Sequence, residues 1–138
     1  EDHVSIHLDI SQEEKREWFL KADLHIQPSW CEGFGNAVLE AMSNGLPALV
    51  SRYTAQPEVV GNTGFITLEM TPEGICQKLE EFMELTEQER RSLVDKVINR
   101  VDKEFSFSIR AGELKAVCMD SNVCGYSDDN TSKELGGK

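Results

Sequence analysis

Apolar and polar residues alternate along Val4-Ser-Ile-His-Leu8, the period-two pattern of a strand with one apolar face. Ser11-Gln-Glu-Glu14 follows as a capping box, in which a Ser hydroxyl and a Glu three residues on each satisfy a backbone N–H of the other residue, and it opens a helix through Trp18, Phe19 and Ala22. Leu24-His-Ile-Gln27 is a second short strand, ended by Pro28 and Ser29. A glycine-bearing loop then leads into a helix over about Ala37 to Ser43, which Asn44-Gly45 stops. Pro47-Ala-Leu-Val-Ser51 and Gly64-Phe-Ile-Thr-Leu68 are third and fourth strands, with Pro57-Glu-Val-Val60 a turn or helix start between them. Strands that alternate with helices predict an α/β fold built on a parallel sheet.

The second half is helical. Thr71 caps a helix with Pro72 at its first position, and Ile75, Leu79, Phe82 and Met83 share one face. Thr86-Glu-Gln-Glu89 is another capping box, followed by Val94, Val97, Ile98, Val101 and Phe105 at helical spacing. Both stripes are expected to face the core. A weaker helix runs from Ile109 to about Met119, and the polar residues 120–138 are expected to form a flexible tail, leaving one domain over residues 1–119.

A length of 138 residues suits one domain, and 39% hydrophobic with 28% charged residues is the composition of a chain that folds. The net charge of -11 disfavours nucleic acid and anionic membrane surfaces, and nothing indicates membrane contact, so small molecules and proteins are the expected partners. An anionic ligand would need a local positive site. Cys31, Cys76, Cys118 and Cys124 form no Cys-x-x-Cys pair and no secretory signal is visible, which predicts free thiols in a reducing cytoplasm. The chain opens at Glu1 without an initiator Met, as a fragment or trimmed product would.

Chemistry concentrates between the second strand and its helix. Ser29-Trp-Cys-Glu-Gly-Phe-Gly-Asn36 lies at the carboxyl end of a parallel strand, where open α/β sheets bind ligands. Gly33 and Gly35 let the backbone approach a ligand, and the helix starting near Asn36 offers unpaired N–H groups to a phosphate. Glu32 in the loop and Glu40 along the helix are two anions that call for hydroxyl donors, which sugars and ribose supply. His3 and His7 lack a third metal ligand, and His25 reads as structural. Glu58 either supports the site or caps its own turn, while Trp30 and Cys31 occupy the loop before Glu32 and are candidates to shape a sugar pocket.

Glu32-Gly-Phe-Gly-Asn-Ala-Val-Leu-Glu40-Ala-Met-Ser-Asn-Gly-Leu-Pro47 resembles the Glu-x7-Glu signature of glycosyltransferase family 4 and the helix that follows it. Ala22-Asp23, Pro28-Ser29, Gln56-Pro-Glu-Val-Val60 with Gly64, and Phe105-Ser106 extend the resemblance over about residues 4–118. It implies the C-terminal, donor-binding, Rossmann-like domain of a GT-B enzyme: a partial parallel sheet with flanking helices. The implied reaction is sugar transfer from a nucleotide-diphosphate donor to an acceptor with retention of configuration. Glu40 would bind the ribose hydroxyls. Glu32 would lie near the donor sugar and the scissile bond, in a positioning and electrostatic role. Backbone around Gly33, Phe34, Gly35, Asn36 and Ala37 would meet the diphosphate or sugar hydroxyls. No metal and no cofactor beyond the donor substrate are implied.

The family's diphosphate-clamping Arg and Lys have no counterpart before Val4, and its acceptor-binding N-terminal domain has none at all. The expectation is a piece of an enzyme, inactive alone, whose partner is the N-terminal portion or a complementary chain. The alternative is a non-catalytic half-domain that acts as an interaction module through an exposed sheet edge. An epimerase of related architecture matches the signature less well.

Overall fold

The computed structural model describes residues 3–119. They divide between two compact units, residues 3–104 and 105–119. In the first, α1 (Gln12–Lys21) precedes β1 (His25–Gln27), α2 (Asn36–Ser43), β2 (Ala48–Ser51), α3 (Gln56–Val60), β3 (Phe65–Thr67), α4 (Pro72–Met83) and α5 (Glu87–Glu104). The second contains α6 (Phe107–Met119), where Arg110 pairs with Glu113 at 2.6 Å. The expected tail at 120–138 lies outside the described residues.

The three strands form one parallel sheet in the order β1-β2-β3, with His25 opposite Ala48 and Leu49 opposite Phe65. This is the α/β parallel layout that the alternating pattern predicts, and the Rossmann-like arrangement that the family resemblance implies. All four residues of central β2 are buried, as a strand covered on both faces should be. Helix α2 buries Val38, Ala41 and Met42, at the i, i+3, i+4 spacing of a single face. Val38 and Met42 join Ala48, Val50, Val59, Val60 and Val97 in the core.

Both capping boxes form. Ser11 Oγ accepts from the Glu14 N–H at 3.1 Å and the Glu14 carboxylate from the Ser11 N–H at 2.8 Å, and Thr86 and Glu89 repeat the arrangement at 3.3 and 2.8 Å. The Ser11 backbone N–H, then its hydroxyl, hold the Glu14 carboxyl below its ordinary pKa; the Thr86 hydroxyl, then its N–H, do the same for Glu89. Thr71 caps α4 through the Gly74 N–H at 3.1 Å. Gly45, at φ 80°, takes the left-handed turn that ends α2.

Two expectations need correction. Residues 4–8 form no strand: among the described residues no segment pairs with them, and Val4, Ile6 and Leu8 are each at least 80% exposed. Alternation marks an apolar face but does not supply a ladder partner, and a strand needs both. The helical stripes are also only partly core. Phe82 and Val97 are buried, but Met83 is 69% and Ile98 42% exposed, because α4 packs on β3 and α5 on α2 along narrower strips than their apolar stripes.

Candidate functional site

The site begins where β1 ends. Residues 28–35 cross the carboxyl end of the sheet, and Ser51, the last residue of β2, holds this loop by donating its hydroxyl to the Ser29 carbonyl. Gly35 caps α2 at φ 85° and ψ 54° with no side-chain cap. Its carbonyl accepts from the N–H groups of Val38 and Leu39 at 3.0 and 3.2 Å, and among the described residues the N–H groups of Asn36 and Ala37 have no partner. Such unpartnered N–H groups at a helix start carry partial positive charge.

Glycine is required at position 35 twice over. Its backbone is left-handed, and a Cβ there would stand 2.9 Å from Cγ of Gln56. Gln56 is fully buried beneath the loop; the Thr54 hydroxyl donates to its Oε1 at 3.2 Å, and its Nε2 has no partner. Gly33, by contrast, faces open space.

The two signature carboxylates sit in different surroundings. Glu32 is half-buried and accepts from Gln27 Nε2 at 3.2 Å, while Gln27 Oε1 stands 3.2 Å from His25 Nε2. Burial pushes the pKa of His25 below its ordinary value of 6.5, and the Gln27 contact offsets part of that, so the neutral ring is favoured. Glu40 projects from the second turn of α2 toward α1 and pairs with Lys15 Nζ at 2.6 Å. The pair borders a hollow of about 500 Å³ lined by Gln12, Lys15, Arg16, Phe19, Glu40, Ser43 and Asn44, a set that includes neither Glu32 nor residues 33–37.

Each carboxylate thus has one protein partner. An ionised carboxylate offers about four lone-pair directions, so neither is saturated. Lys15 and Gln27 escaped the sequence reading. Lys15 lies 25 residues from Glu40, and no local spacing signals that contact.

The family of glycosyl transferases group 1 matches residues 1–100, more than half of the chain. The chain belongs to this family. The chain is 33% identical over 110 residues to an MMP alpha-(1->4)-mannosyltransferase of Mycolicibacterium hassiacum, covering 78% of the chain and 27% of that protein. It is 31% identical over 88 residues to a D-inositol 3-phosphate glycosyltransferase of Streptomyces griseus, covering 62% and 19%. A 48-residue stretch is 46% identical to O-antigen chain mannosyltransferase B of Escherichia coli, covering 35% and 13%. The chain thus spans 13–27% of the length of these three relatives. In fold it resembles the solved structure of the N-terminal domain of Candida albicans trehalose-6-phosphate phosphatase, with a TM-score of 0.59 at 21% identity, over 68% of this chain and 21% of that one. Among the described residues no helix is long and apolar enough to cross a membrane.

Proposed function

We propose that this chain supplies part of the donor site of a glycosyltransferase that moves a sugar from a nucleotide-diphosphate donor to an acceptor with retention of configuration. The observation that carries the reading is the opening of α2: a left-handed Gly35 at the carboxyl end of β1, with the Asn36 and Ala37 N–H groups unpartnered among the described residues and Glu32 and Glu40 before and after them in the sequence.

Each group has a task in that chemistry. The helix terminus receives the diphosphate, whose negative charge grows as the bond to the sugar breaks, and contributes about 0.3–1 kcal/mol, up to ~2 when partly buried. Backbone around Gly33, Phe34 and Gly35 approaches the diphosphate and the sugar hydroxyls. Glu40 accepts from the ribose hydroxyls while Lys15 offsets its repulsion of the nearby diphosphate. Glu32, oriented by Gln27, faces the donor sugar and stabilises positive charge developing at its ring; it positions the sugar and is not assigned as nucleophile. Because backbone N–H groups meet the leaving group, the reading calls for no metal or further cofactor. Two relatives are named as mannosyltransferases, which makes a mannose donor the first to try. The free thiols of Cys31 and Cys76 suit a reducing compartment such as the cytoplasm.

Complete catalysis calls for a partner, the N-terminal portion of such an enzyme or a complementary chain. Enzymatic acceleration requires roughly 8 kcal/mol or more, against the ~2 kcal/mol of one helix terminus. The proposed role is tested by titrating the chain with UDP, GDP and ADP while following backbone amide resonances. Saturable shifts centred on Gly35, Asn36 and Ala37 are expected. Shifts absent there, or matched by the uncharged nucleosides, would remove the diphosphate assignment.

A further inference from the structure

The loops after β1 and β2 hold an aromatic pair in the open. Trp30 and Tyr53 stack with ring centroids 5.1 Å apart and planes 28° from parallel, and the Arg52 guanidinium lies 5.1 Å from the Tyr53 ring centroid. Neither loop is slack. Ser51 Oγ donates to the Ser29 carbonyl just before Trp30, the Arg52 N–H donates to the Thr67 carbonyl at 3.1 Å, and the Tyr53 hydroxyl to the Leu68 carbonyl at 3.2 Å. Yet Trp30 remains 67% and Tyr53 45% exposed. Fully burying a large apolar side chain stabilises a fold by about 1.5–3 kcal/mol, and here that gain is largely forgone while the rings are held in place.

The surroundings restrict what could cover them. The pair stands on the ligand-facing end of the sheet, with Glu32 two residues beyond Trp30 on the same loop. A purely aliphatic surface would strand the guanidinium and the carboxylate, and the net charge of -11 repels nucleic acid. A pyranose ring satisfies both demands. Its C–H face carries weakly positive hydrogens that suit the negative face of an aromatic ring, and its hydroxyls can accept from Arg52 and donate to Glu32.

We propose that Trp30 and Tyr53, with Arg52 beside them, form a saccharide-stacking subsite next to Glu32. Its place in a sugar-transfer reaction rests on the donor-site reading above; the stacking does not, since it needs no nucleotide. The ring could belong to the donor sugar or to an acceptor glycan, and the test separates the two.

Trp18 and Trp30 are the only tryptophans, so Trp18→Phe makes Trp30 the sole reporter. This variant is titrated with mannotriose, GDP-mannose and GDP, following indole emission and acrylamide quenching. A saturable blue shift with protection from acrylamide is expected, with mannotriose if the subsite takes an acceptor glycan and with GDP-mannose alone if it takes the donor sugar. Adding Tyr53→Ala should weaken the response about fivefold, the size of one aromatic contact, whereas Tyr53→Phe should preserve it. Should Tyr53→Ala fail to fold by circular dichroism, the Trp30 and Tyr53 resonances of the unaltered chain give the same readout. Linear responses to both saccharides, or an equal response to GDP alone, would overturn the subsite. Amide shifts at Asn36 and Ala37 with GDP would meanwhile leave the donor-site reading standing.

Discussion

Replacing Gly35 by alanine strikes the point where fold and site meet. The position holds φ 85°, a conformation that costs an L-residue with a Cβ roughly 1–2 kcal/mol. The added methyl would also stand 2.9 Å from Cγ of the fully buried Gln56, and overpacking of that kind costs about 1–3 kcal/mol. Together the loss is about 2–5 kcal/mol, a large share of the ~5–15 kcal/mol available to a domain. Urea unfolding followed by circular dichroism should register it as a midpoint shift of about 1–2 M. The two contributions separate in a double-mutant cycle: on a Gln56→Ala background the steric part should vanish, leaving about 1–2 kcal/mol for the backbone alone. A loss below ~0.5 kcal/mol for Gly35→Ala, or equal losses in both backgrounds, would refute the packing argument.

Arg100 donates from Nε to the Val59 carbonyl at 2.9 Å and from Nη2 to the Glu58 carbonyl at 2.6 Å, so it closes the carboxyl end of α3. Arg100→Ala should cost about 2–3 kcal/mol by thermal unfolding and Arg100→Lys somewhat less, since an ammonium cannot fork; a cost within ~0.5 kcal/mol would show that water replaces both bonds. His25 has a folded pKa below its unfolded value, so as pH falls through about 6.5 the unfolded state takes up the proton first and stability declines. The capping carboxylates Glu14 and Glu89, also held low, add stability that is lost only at more acid pH, below their ordinary value of 4.5. His25→Asn should therefore flatten the urea midpoint between about pH 7 and 5, and an unchanged slope would remove His25 as the cause. With GDP-mannose and any acceptor, these 138 residues alone should show no turnover, and measurable transfer would contradict the partner requirement.

What could be read from the sequence was what is decided locally. A capping box joins residues three apart, so Ser11–Glu14 and Thr86–Glu89 carry their own geometry, and the Glu32 to Glu40 segment carries its loop and helix. The parallel order followed from strands separated by helices. Contacts between distant segments were not legible. Nothing in Val4–Leu8 tells whether another strand will accept its backbone, and helical phase cannot say that the core stops short of Met83 and Ile98. Three features of the site also join remote positions: Lys15 with Glu40, Gln56 beneath Gly35, and Trp30 against Tyr53. The signature therefore names candidate residues but not the side chains they touch.

The central claim, that the segment from Glu32 to Glu40 holds a nucleotide through its ribose and diphosphate, is tested most directly by calorimetric titration of GDP into the chain and its Glu40→Ala variant, with 2′,3′-dideoxy-GDP alongside. Charge-assisted hydrogen bonds are worth about 1.5–3 kcal/mol, so the variant should bind GDP at least about tenfold more weakly and lose its preference for the ribonucleotide. Equal affinity of chain and variant for GDP, with that preference intact, would contradict the account.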